Sequence, residues 1–175
     1  WNKEHTEQMV RLYRDRFEHY GHGAADQAFV GLGGQVFMGT NETEAKKQFR
    51  PYFDNAPVYG HGPSLEEFAR ATPLTVGTPE QVIERTLGFA DYVGDYQRQL
   101  FLIDHAGLPT DVVLDQLEIL GREVVPVLRA EFDRRRPAHV PSDPPTHESL
   151  VAAGPEAPHH LVEPARTLTR EGATS

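Results

Sequence analysis

The chain has 175 residues, a net charge of −9 and no cysteine. Its length suits one domain, and its acidic balance argues against a nucleic-acid partner, which asks for an excess of lysine and arginine. The absence of thiols excludes disulfides, zinc knuckles and cysteine catalysis, in keeping with a cytoplasmic protein, and no apolar run approaches the roughly 18 residues of a membrane span.

In chain order, His5 to Tyr20 places Met9, Tyr13, Phe17 and Tyr20 at helical spacing, with Gly21 as a stop. Ala28 to Met38 is nearly uncharged and β-rich and reads as a buried strand; its glycines, Gly33 and Gly34 beside Gln35, let a ligand or another backbone approach closely. Asn41 and Glu44 begin a helix to about Phe53 that buries Ala45, Phe49 and Phe53. From Asp54 to Gly77 the chain reads as irregular, apart from a short helix at Leu65 to Ala71 behind Ser64 and Glu67. Long loops of this kind are often functional lids, which nominates Tyr59, His61 and Ser64 as residues closing over a substrate. Thr78, Pro79 and Gln81 start a helix that runs to Gly94.

Leu100 to Ile103 then reads as a strand buried on both faces, because a half-exposed strand would alternate polar and apolar residues. Asp104 and His105 stand where the chain leaves it, and Gly107 and Pro109 turn it into a helix from Thr110 to about Phe132. That helix is expected to bury Val113, Leu117, Leu120, Val124 and Leu128 and to bend at Pro126. Residues 134–175 hold seven of the fourteen prolines and no aromatic residue. They read as a disordered, proline-rich tail, leaving residues 1–133 to form the core.

About two parallel strands with flanking helices do not make a sheet, since both edges stay open. The economical expectation is an α/β fold in which this chain is the C-terminal part of a larger protein, a (β/α)8 barrel. Active sites of such folds lie at the carboxyl ends of strands, where Asp104 and His105 are the candidates for hydrogen bonding or proton transfer. Other motifs fail. Gly31-x-Gly33 lacks the third glycine and the immediate helix of a dinucleotide fingerprint, Ser64 sits in no nucleophile elbow, and His19 and His22 have no carboxylate at metal spacing.

Four stretches together carry a resemblance: Leu12-Tyr13-Arg14; Gly31 to Thr40 with the Ala45 helix; Thr75-Val76-Gly77-Thr78-Pro79-Glu80-Gln81-Val82; and Phe101 to Pro109 continuing to Glu123-Val124-Val125-Pro126-Val127-Leu128-Arg129. In this order the chain resembles the C-terminal portion of the luciferase-like flavin-dependent monooxygenases, the bacterial luciferase superfamily of TIM-barrel enzymes. The resemblance implies reduced FMN, supplied by a separate NAD(P)H-dependent flavin reductase, and insertion of one oxygen atom from O2 into a small organic substrate. It implies Asp104, His105 and Gly107 at the barrel mouth, Gly34 and Gln35 near the cofactor, and it allows a homodimer of the full-length enzyme. A deazaflavin-dependent reductase of the same fold, or a non-catalytic flavoprotein or interaction fragment, would share these features.

Overall fold

The helix starts written in the sequence set the frame. In the computed structural model, which describes residues 2–57, 59 and 62–143, the Asn2 side chain accepts the His5 N–H at 2.8 Å and opens α1 (Lys3–His19). Asn41 likewise accepts from Glu44 at the start of α2 (Glu42–Asn55). Ser64 with Glu67, and Thr78 with Gln81, form reciprocal capping boxes ahead of α3 (Leu65–Ala71) and α4 (Pro79–Leu87). Each cap satisfies N–H groups that a first helical turn leaves without partners. The helix expected to reach Gly94 is two: α4 ends at Leu87, and the short α5 (Ala90–Val93) follows after the turn at Gly88 and Phe89.

Three strands form one parallel sheet, β1 (Gly31–Met38), β2 (Leu74–Gly77) and β3 (Arg98–Leu102), in the order β2-β1-β3. This corrects the expectation of two strands. Leu74–Gly77, read as irregular, is too short to show an alternation, and its pairing from Gln35↔Leu74 to Met38↔Gly77 makes it a strand. The central strand is β1, flanked by β3 over Gly31↔Arg98 to Gln35↔Leu102.

Alternate residues of β1 face opposite sides, and helices cover both. On one side Phe37, Leu74 and Val76 pack with Ala45, Phe49 and Phe53 of α2, Leu65 of α3, and Leu108. On the other, Val36, Met38 and Ile103 pack with Val82 of α4 and with Val124 and Leu128 of the C-terminal helices. Val30, Leu32, Phe89, Val93 and Tyr96 extend this second layer.

The first side is covered only over its carboxyl half. Gly31, Gly33, Arg98, Leu100 and Leu102 share the rest, and it is bare: Leu100 is 64% and Leu102 49% exposed. The expectation that β3 is buried on both faces is thereby corrected. Its Gln99 and Phe101 side is partly covered, and no helix among the described residues covers the other. The apolar stripe of α1 is likewise exposed, because α1 docks on α5 and the Ala25–Gln27 turn rather than on the sheet. Its anchor is Arg14, whose guanidinium donates to the carbonyls of Val93 and Asp95.

The last helix is interrupted. α6 (Thr110–Ile119) and α7 (Val125–Arg135) are joined by a π turn at Leu120–Val124, just before Pro126, whose missing N–H leaves the Arg122 carbonyl without its usual partner. One extra residue in that turn shifts the phase of everything before it. Gln116 therefore takes the buried position expected of Leu117, which is exposed. α7 runs on through Arg135, and Val140 beyond it is buried; residues 144–175 lie outside the described residues.

Candidate functional site

β1 runs three residues past the end of its pairing with β3. The alternation of a parallel ladder, starting from the Arg98 N–H on the Val30 carbonyl, turns the later groups of Val36 and Met38 toward space that β3 no longer fills. Two side chains continue the ladder. His105 Nε2 lies 3.2 Å from the Val36 carbonyl oxygen, and the Gln116 amide makes both bonds to Met38, accepting from its N–H at 2.6 Å and donating to its carbonyl at 2.8 Å. Gln116 imitates a peptide unit of the missing strand.

The His105 contacts fix its chemistry. A carbonyl only accepts, so Nε2 carries the proton and Nδ1 is the acceptor of the Tyr59 hydroxyl, 3.3 Å away. Burial lowers the His105 pKa, against the opposing Val36 hydrogen bond and the nearby Asp104 charge. Burial raises that of Tyr59, against a hydrogen bond from the Gln35 side chain. Both groups are therefore held neutral at neutral pH, in a chain running from the Tyr59 hydroxyl through the imidazole to Val36, with Gln35 beside Tyr59. Phe49 and Phe53 wall it, at ring centroid distances of 5.0 Å to His105 and 4.6 Å to Tyr59.

The fold thus brings together Gln35, Tyr59 and His105, residues 70 positions apart at the extremes, at the carboxyl ends of β1 and β3. Tyr59 and His105 are buried, while Gln35 is half-buried on the side that continues into the bare face. Gln35 carries an amide that can offer a donor or an acceptor to a ligand. Asp104 is exposed beside His105. Gly34 lies on the opposite, helix-covered face, against Pro73 and Gln99. The Ser64 hydroxyl is engaged with Glu67 in the cap of α3. His61 lies outside the described residues.

After His105 the chain reverses with positive φ at both Ala106 (59°) and Gly107 (70°), closed by a Leu108 N–H to His105 carbonyl bond. Ala106 is the only non-glycine with positive φ among the described residues. Such strain persists where the surroundings fix it, here between β3 and the helix that carries Gln116. Ala106→Gly is expected to raise stability by about 0.5–1 kcal/mol, since glycine occupies this region freely; chemical denaturation measures it.

Gln116 is the residue that sequence reading passed over. Its signal is a polar side chain at a core phase that appears only when the π turn is counted. Among the described residues no cluster of histidine, aspartate and glutamate is arranged to hold a metal ion, and no helix is long and apolar enough to cross a membrane. No protein-family model matches the sequence, and no curated protein matches it.

Proposed function

We propose that this chain is the C-terminal portion of a luciferase-like, flavin-dependent oxidoreductase with a (β/α)8 barrel, and that its bare sheet face is part of the barrel wall that meets the cofactor. The observation that carries the reading is that half-covered sheet. A free-standing domain would bury Leu100 and Leu102, whereas a barrel strand turns such residues inward. In this reading β1 and β3 are neighbouring barrel strands. β2 flanks only the carboxyl half of β1, so the outward backbone groups of Gly31 and Gly33 remain for a preceding strand, and α2 and α3 form an insertion at the mouth.

The residues present suit a flat ring system. A Cβ added at Gly33 would meet nothing within 4 Å, so Gly33, Leu100 and Leu102 make a smooth apolar floor between Arg98, beside Gly31, at one end and Gln35 at the other. Reduced FMN, when bound, would supply the electrons for activating O2 and inserting one oxygen atom into an organic substrate. The chain's own part is orientation: Gln35 accepts a hydrogen bond from the ring edge, and Tyr59 and His105 hold that amide in one direction. His105 is in this account a positioning residue, and Tyr59 closes the aromatic wall behind it.

The test is flavin titration of the assembled protein, following flavin fluorescence. Gln35→Leu is expected to weaken FMN binding by roughly tenfold, the worth of one good hydrogen bond. Leu100→Lys is expected to abolish binding while changing the stability of this chain alone by less than about 0.5 kcal/mol, as for an exposed position. FMN affinity unmoved by both substitutions would overturn the reading, and preference for a deazaflavin over FMN would move it to the reductases.

A further inference from the structure

Where the chain enters β2, a cleft of about 270 Å³ opens between Lys3 of α1, Arg70 of α3, Thr72, Arg85 of α4 and Tyr92 of α5. It shares no lining residue with the site of Gln35, Tyr59 and His105. Three cations and no carboxylate line it, in a chain of net charge −9. The groove that continues from it along β2 is different, because there Glu42, Glu66 and Glu84 stand among the cations. Asp91 is exposed and does not line the cleft, and Glu67, one turn before Arg70, is committed to the Ser64 cap.

The cleft offers donors and little else. Arg85 is half-buried, and its Nη2 donates to the carbonyls of Ala69 at 2.5 Å and Thr72 at 2.6 Å, which fixes the guanidinium without neutralising it. The Nε and Nη1 hydrogens stay uncommitted among the described residues. Burial lowers the Arg85 pKa, so its charge is held where solvent compensates it poorly. Lys3 is held over the Tyr92 ring, its Nζ 4.9 Å from the centroid, and Arg70 makes no ion pair among the described residues. Burial keeps the Tyr92 hydroxyl protonated, a further donor, while the Thr72 hydroxyl is committed to the Phe68 carbonyl. Lysine and arginine cannot accept a hydrogen bond, so a molecule bound here must bring the acceptors. The overall charge of the chain repels anions, and only such a local concentration of donors holds one.

We propose that this cleft binds a phosphate group, free or at the end of a larger molecule, between Arg85, Arg70 and Lys3. Guanidinium forks match pairs of phosphate oxygens, and charge-assisted bonds of this kind are the strong ones. Three cations from three helices favour a dianion with several oxygens over a single carboxylate. Bound there, the anion ties α1, whose apolar stripe is left exposed, to α3 and α4. The inference is independent of the flavin.

The test titrates the whole chain with inorganic phosphate and with phenyl phosphate at constant ionic strength, by calorimetry. At least one of the two is expected to saturate a single site with Kd below about 1 mM. A variant carrying both Lys3→Gln and Arg70→Gln, at exposed positions that leave folding intact, is expected to bind at least about tenfold more weakly, the loss of two charge-assisted hydrogen bonds. Arg134→Gln, at an exposed arginine of α7, is expected to leave the affinity unchanged. Tighter binding of phenyl phosphate assigns the cleft to a larger phosphorylated molecule, and equal or weaker binding assigns it to the free ion. A Kd above about 1 mM for both compounds would overturn the proposal. So would an affinity unmoved by the paired substitution, which is the result expected of phosphate seated at the proposed flavin site instead.

Discussion

Gln116→Leu is expected to lower the stability of the chain by about 3 kcal/mol, more than any other substitution of a single polar residue in the core. The side chain is 4% exposed and makes both bonds that Met38 would otherwise lack. Leucine fills much of the same space but leaves a buried N–H and a buried carbonyl without partners. Each such group costs about 1–3 kcal/mol when it is left buried and unbonded, and the apolar gain of leucine recovers only part. Gln116→Glu separates the two bonds, since a carboxylate keeps an acceptor for the Met38 N–H and loses the donor to its carbonyl. Urea unfolding with an unchanged slope gives the number. A leucine variant as stable as the parent would mean that the end of β1 does not depend on this amide, and the account of the strand ends would fall with it.

How much of this was legible in the sequence depends on the range of the interaction. Caps are local, so Ser64 with Glu67 and Thr78 with Gln81 announce α3 and α4 at their first residues. The aromatic stripe of α2 is local too, and Phe49 and Phe53 are buried as their spacing indicates. β3 fails for the opposite reason. Four apolar residues in a row say that burial is wanted but not which surface supplies it, and here the second surface is absent from the described residues. Leu117 fails because a π turn beginning three residues on changes the phase of the helix, and nothing short of the backbone reveals that. The site was visible as a list of residue types at a strand end. That Tyr59 reaches His105 across 46 positions is a property of the fold alone.

His105→Leu is expected to cost about 2–3 kcal/mol above neutral pH, because the Val36 carbonyl loses its donor and the Tyr59 hydroxyl its acceptor, both in a buried site. That cost should shrink in acid, and the direction follows from the imidazole's surroundings. Burial against Phe49 disfavours the imidazolium more than Asp104 and the Val36 bond favour it, so the folded chain releases this proton below the ordinary histidine value of 6.5. Between 6.5 and that lowered folded value the unfolded chain binds more protons, and stability falls as pH falls. One group contributes at most about 1.4 kcal/mol per pH unit in this window. Leucine has nothing to titrate, so the difference between parent and variant isolates His105 from every other titrating group. Unfolding both proteins in urea at about pH 8 and about pH 5 measures it. A difference that grows in acid would mean that the folded state prefers the charged ring, with Nδ1 donating rather than accepting, and would return Tyr59 to the role of acceptor. Under the proposed function, the same substitution in the assembled protein separates positioning from packing: loss of turnover beyond the loss of folded protein would assign His105 to orienting Gln35, and equal losses would assign it to closing the end of β1.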